Sequence, residues 1–273
     1  MTGSDHLSGP LHEAALAVLA AAAPAEKVRL TAAAADAWRR GDLVPGPAGR
    51  PEPPPPDHPA RPAAPVTMAP KFMPRRRLGG TAGRIAMLHA LAHIELNAID
   101  LAWDILARFG SGQPRAFLDD WVGVAQEEAR HFADLERLLN GLGSGYGALP
   151  AHAGLWEAAT KTAGDLAGRL AVIPMTLEAR ALDTAPATIL RLSDSGESAM
   201  AAVMERILED EISHVAAGVR WFEALCRQTG TDPVARYHAI VGAHFPKGLK
   251  APFNRLARDR AGMAPDYYEP LGR

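Results

Sequence analysis

From Gly80 onward, apolar residues recur at three- and four-residue intervals, the period of amphipathic helices. The pattern predicts long helices over residues 80–109, 114–141, 154–184 and 197–229, and a shorter one over 232–243. Gly110, Ser111 and Gly112 separate the first two, a loop from Gly141 to Pro150 follows the second, and Ser193 to Gly196 precede the fourth. The alternation of a half-buried strand is not found. Upstream, residues 11–23 and 25–40 read as two short helices broken at Pro24, the second stopping at Gly41. Residues 45–74 are proline-rich, with a run from Pro53 to Pro56, and read as an extended, semi-rigid arm. An arm packed on the core is preferred to a free linker because Val66, Met68, Phe72 and Met73 need burial. The expected fold is all-α: an N-terminal helical pair (1–44), a Pro-rich arm packed on or linking to the core (45–79), a four-helix bundle (80–230) and a C-terminal helix and tail (231–273).

Each long helix carries a carboxylate within its apolar face. Glu95 shares a stripe with Leu88, Leu91, Ala98, Ala102 and Leu106, and Glu128 with Trp121, Val124, Leu135 and Leu138. Glu178 lies among Ala171, Pro174, Ala181 and Leu182, and Glu211 among Met204, Leu208, Val215 and Gly218. His131 and His214 each follow a glutamate by three residues, which places each pair about 60° apart on one helix face. The intervals repeat. Glu95 to Glu128 and Glu178 to Glu211 are both 33 residues, and each residue of the first set lies 83 before its counterpart in the second. The chain therefore reads as two copies of one helix hairpin.

An uncompensated buried carboxylate costs several kcal/mol or takes up a proton. Four carboxylates and two neutral imidazoles carry a charge that two divalent cations cancel and one does not. A glutamate from each of two helices and Glu-x-x-His from each of the other two is the di-metal carboxylate bundle pattern. The expected ligands are Glu95, Glu128, His131, Glu178, Glu211 and His214. Oxygen-rich donors with one imidazole per ion favour iron, with a mixed manganese–iron pair also admitted. Glu127 and Asp210, at matching repeat positions, could accept the second ring N–H of the histidines, or belong to a solvated acidic face.

Composition narrows the field. A net charge of -2 gives no general attraction to nucleic acid or an anionic membrane. Cys226 is the single cysteine, so cysteine-rich zinc or iron–sulfur sites and an internal disulfide are excluded. The alanine-rich run at 14–23 lacks a basic lead, and the expectation is a cytoplasmic protein with no membrane partner.

The stretches His89-Ala-Leu-Ala-His-Ile-Glu95, Glu127-Glu-Ala-Arg-His131, Leu177-Glu-Ala-Arg180 and Asp210-Glu-Ile-Ser-His214 resemble the ferritin-like di-iron carboxylate superfamily. Most closely the chain looks like a bacterial ferritin-like family catalogued as a domain of unknown function. The resemblance extends over most of the chain, including the Lys250-Ala-Pro-Phe-Asn254 region. It implies a ferritin-like bundle and carries the six ligands over one by one.

The first functional expectation is a di-iron oxidoreductase, an oxidase or oxygenase that activates O2 or peroxide. Its partners would be a small-molecule or modified-nucleotide substrate and an external electron donor, and a homodimer is admitted. Iron handling of the ferroxidase or storage type, and a rubrerythrin-like peroxidase, are the alternatives. His89 and His93 should face away from the metals and touch the N-terminal arm. Pro174 should bend its helix before Glu178. Trp121 reads as core packing. Arg75 to Arg77 are either a contact for an anionic substrate or a solvated turn.

Overall fold

A proline begins the second helix. In the computed structural model, which describes residues 7–46, 48–49, 52–69, 72–73 and 80–273, α1 (Leu11–Ala20) ends before Pro24 and α2 (Pro24–Arg40) has that proline in its first turn. There its missing N–H leaves no bond unmade. Gly41 closes α2 at φ 83°, with Asp42 N–H reaching back to the Ala37 carbonyl. This left-handed ending suits glycine. The chain beyond it forms β2 (Leu43–Val44), which pairs in parallel with β1 (Gly9–Pro10). Two residues per strand are too short to write an alternating pattern. Arg75 to Arg77 lie outside the described residues.

The described chain is mostly helical and divides into two compact units, Met1–Glu157 and Ala158–Arg273. In the first, α3 (Gly80–Phe109) and α4 (Arg115–Gly141) pack against each other as a helix hairpin, with α1 and α2 laid against them. Leu88, Leu96, Ile99 and Trp103 of α3 are buried, as are Phe117, Trp121, Phe132 and Leu135 of α4. Each such side chain contributes about 1.5–3 kcal/mol. By length and composition α3 could cross a membrane, but most of its apolar window is buried inside the protein.

The opposite side of α3 is polar and also buried. Asp100 pairs with Lys27 Nζ of α2 at 2.6 Å, both side chains fully buried. The same lysine donates to the Val18 carbonyl at 3.0 Å. Trp103 Nε1 donates to Thr31 Oγ1, and Asp104 holds Arg108 at 2.7 Å. The described part of the Pro-rich segment lies along this side. Arg108 donates to the Pro56 carbonyl, Arg61 to Asn97 Oδ1, and Ala60 N–H to the Leu19 carbonyl. Val66 and Phe72, expected to bury, are 66% and 68% exposed. Polar bonds, with buried Pro59 and Pro65, attach this segment instead.

The expected helix over 154–184 is interrupted. Short α5 (Gly154–Thr160) ends before a turn in which Arg169 Nε donates to Thr162 Oγ1 and its Nη2 to the Ala159 carbonyl. Then come α6 (Leu166–Val172), a π-helical segment (Ile173–Glu178) and α7 (Ala179–Asp194). Pro186 does not end α7. Proline deprives the carbonyl four residues back of its donor, and Asn254 Nδ2 supplies one to Leu182 O at 3.0 Å. The second unit is completed by α8 (Ser198–Thr229), α9 (Pro233–His244), α10 (Arg255–Arg260) and α11 (Pro265–Tyr268). Arg258, buried, makes two bonds to Asp183 at 2.8 and 2.9 Å and lies over the Tyr268 ring.

Candidate metal centre

Two facing helices of the first unit present the first set of donors. Glu95 comes from the middle of α3, and Glu128 and His131 from successive turns of α4. All three are buried, with exposures of 3%, 0% and 1%. His131 Nδ1 stands 3.5 Å from Glu95 Oε2 and 3.4 Å from Glu128 Oε2. The three-residue spacing on α4 thus points carboxylate and imidazole the same way. Burial, and then the charge of Glu128, push the Glu95 carboxyl up to about 8. His131 offsets this only in part. Two carboxylates and a neutral imidazole of this kind fit a divalent cation, because it replaces the lost hydration and cancels the repulsion.

The second unit carries the second set. Glu211 and His214, one turn apart on α8, are buried, with Nδ1 3.8 Å from Oε2. Glu178 ends the π-helical segment and is half-buried. Among the described residues, Glu95, Glu128 and His131 in the first unit, and separately Glu211 in the second, are buried groups able to donate to a metal ion.

The π-helical segment has a visible cause. Pro174 removes a helical donor, and Gly218 of α8 lies so close that a Cβ there would sit 2.7 Å from two Pro174 ring carbons. Thr176 Oγ1 donates to the Ala171 carbonyl at 2.7 Å and meets Tyr237 Oη at 2.8 Å. The expected bend at Pro174 thus takes the form of a widened turn leading into Glu178. Tyr237, whose hydroxyl sits against this turn, was not anticipated, since α9 is distant in sequence.

Glu127 and Asp210 lie nearer the surface than the neighbouring Glu128 and Glu211. Glu127 is partly exposed, 3.8 Å from Arg130 on its own helix. Asp210 is half-buried, and its carbonyl accepts from Ser213 Oγ. His89 and His93 reach mainly the loop after α4 rather than the N-terminal arm. His89 Nε2 accepts from Gly147 and Leu149 N–H, while His93 Nδ1 meets Tyr146 Oη at 2.8 Å. Trp121 is buried against Phe117, as core packing requires.

The model of the family described as "Protein of unknown function (DUF455)" matches residues 20–269. A protein of Haemophilus influenzae described as "Uncharacterized protein" is 39% identical over 210 residues, covering 75% of this chain and 73% of that one. No solved structure matches the chain.

Proposed function

This chain belongs to the DUF455 family, and we propose that it is a di-metal carboxylate protein acting as an O2- or peroxide-activating oxidase or oxygenase. In this reading the helix hairpins of the two units assemble as a ferritin-like four-helix bundle. Glu95, Glu128 and His131 from one, and Glu178, Glu211 and His214 from the other, hold two divalent ions. The buried pair Glu95 and Glu128, with Glu95 pushed up to about 8, carries the proposal. After burial, the groups that act most on Glu95 are Glu128 and His131. Each set balances one divalent ion, and two equivalent sets at a constant 83-residue offset support two ions. The donors favour iron, with a manganese–iron pair as the variant.

Bound iron would supply the capacity to bind and reduce O2 or peroxide. The protein's own part is to hold carboxylates and imidazoles together where water is excluded. Cys226 is buried, and no second cysteine exists to ligate a relay iron. An external electron donor is therefore part of the reading. The substrate class is a small organic molecule or modified nucleotide, and the setting is cytoplasmic. Elemental analysis of protein from iron-supplied cells should find two metal ions per chain, and the reduced protein should consume O2 or peroxide. Loaded, reduced protein inert to both would refute the oxidase assignment. Protein that takes up no metal would refute the whole reading.

A further inference from the structure

On the side of α3 opposite Glu95, the proline-rich segment roofs a cavity of about 390 Å³. Its wall includes His58, Arg61, His93, Asn97, Tyr146 and Trp156, all of the first unit. The volume falls in the range of small-ligand pockets, roughly 300–1,000 Å³. Pro59, Pro62 and Pro65 form part of the rim, so less freedom would be lost when a ligand binds.

The charges are unequal. Asp100 is shared by Lys27 at 2.6 Å and Arg61 at 3.2 Å, and Asp104 is matched by Arg108. Three cations face two carboxylates, and none of the described lining residues is acidic. Arg61 is fixed from behind. Its Nη2 donates to Asn97 Oδ1 at 2.8 Å and approaches Asp100, while Asn97 Nδ2 donates to the His93 carbonyl at 2.6 Å. Among the described residues, its Nε and Nη1 donors have no hydrogen-bond acceptor. A guanidinium anchored along one edge and open along another suits a carboxylate or phosphate.

The remaining wall is aromatic. The Arg61 guanidinium carbon lies 6.0 Å from the Trp156 ring centre, and the His58 ring 6.4 Å from it. Trp156 is itself fixed by Nε1 donating to the Asp57 carbonyl at 3.0 Å. His93 also lines the cavity. Its Nε2 donates to the His152 carbonyl, which leaves Nδ1 to accept from the Tyr146 hydroxyl.

We propose that this cavity binds a small aromatic anion, its carboxylate or phosphate on Arg61 and its ring against Trp156. The site is separate from the candidate metal ligands, and binding does not require a metal.

Calorimetry on the full chain, with and without metal, tests this using phenyl phosphate, benzoate, inorganic phosphate and benzamidine. One or both aromatic anions should bind at least ~10-fold more tightly than inorganic phosphate and than benzamidine, whose charge is reversed. R61Q should weaken that binding by about 10- to 100-fold, and Arg61→Lys by less. Metal content should stay unchanged in both variants. Because R61Q also loosens the roof, Trp156→Leu, which keeps the guanidinium, gives a second test and should erase the preference for phenyl phosphate over phosphate. No saturable binding of either aromatic anion, benzamidine binding as tight as benzoate, or unchanged affinity in R61Q would overturn the proposal.

Discussion

Replacing Glu95 with glutamine separates what the acidic cluster does to stability from what it does for metal. In the metal-free protein Glu95 is pushed from 4.5 up to about 8 by burial and by Glu128. An acid whose folded value is raised binds more protons folded than unfolded between those limits. The metal-free protein must then lose stability as pH rises from about 4.5 to about 8. At ~1.36 kcal/mol per pH unit, the loss is at most about 3 kcal/mol by pH 7 and about 5 kcal/mol by pH 8. Glu95→Gln removes the charge and nearly keeps the shape. Urea titrations in chelator should show the variant matching the wild type near pH 5 and exceeding it by a few kcal/mol near pH 8. With metal supplied the order should reverse, because the variant has lost a ligand. Metal-free wild type as stable at pH 8 as at pH 5.5, or a variant weaker than wild type at pH 8 without metal, would refute the reasoning.

Three other outcomes are expected. Glu128→Ala or Glu211→Ala should bring metal below two ions per chain by elemental analysis, whereas His89→Ala should leave metal content intact. Lys27→Met leaves Asp100 buried without its closest cation and should cost about 3–5 kcal/mol by denaturant titration, with Asp100→Leu added to it restoring much of the loss. Gly218→Ala forces a methyl onto the Pro174 ring and should cost about 1–3 kcal/mol, with weaker metal retention because the turn that carries Glu178 must shift.

The helix period exposes most of α3, α4 and α8, and it marks Glu95, Glu128, His131 and Glu211 as positions within apolar faces, where they are buried. Those residues interrupt apolar stripes at helical spacing, which is a local signal. The other face of α3 is less legible, although Asn97, Asp100 and Asp104 also fall at three- and four-residue intervals. The partners of Asn97 and Asp100, Arg61 and Lys27, come from segments many residues upstream, and local pattern says nothing of such pairings. The length of α7 (Ala179–Asp194) exceeds what the local pattern predicts for a similar reason. Pro186 is a stop signal on local grounds, and the bond that overrides it joins Leu182 to Asn254, 72 residues apart. Nor could a period announce the break after Thr160, where buried Arg169 binds the carbonyl and hydroxyl of the turn.

That distant bond bears on the order of events during synthesis. The contacts described for the first unit are encoded by residue 157, so they can form while translation continues. For the second unit, Leu182 must wait for Asn254 and Asp183 for Arg258 to leave the ribosome. A stalled or prematurely terminated chain would expose an unfinished helix beside Glu178, and quality-control proteases would find it there.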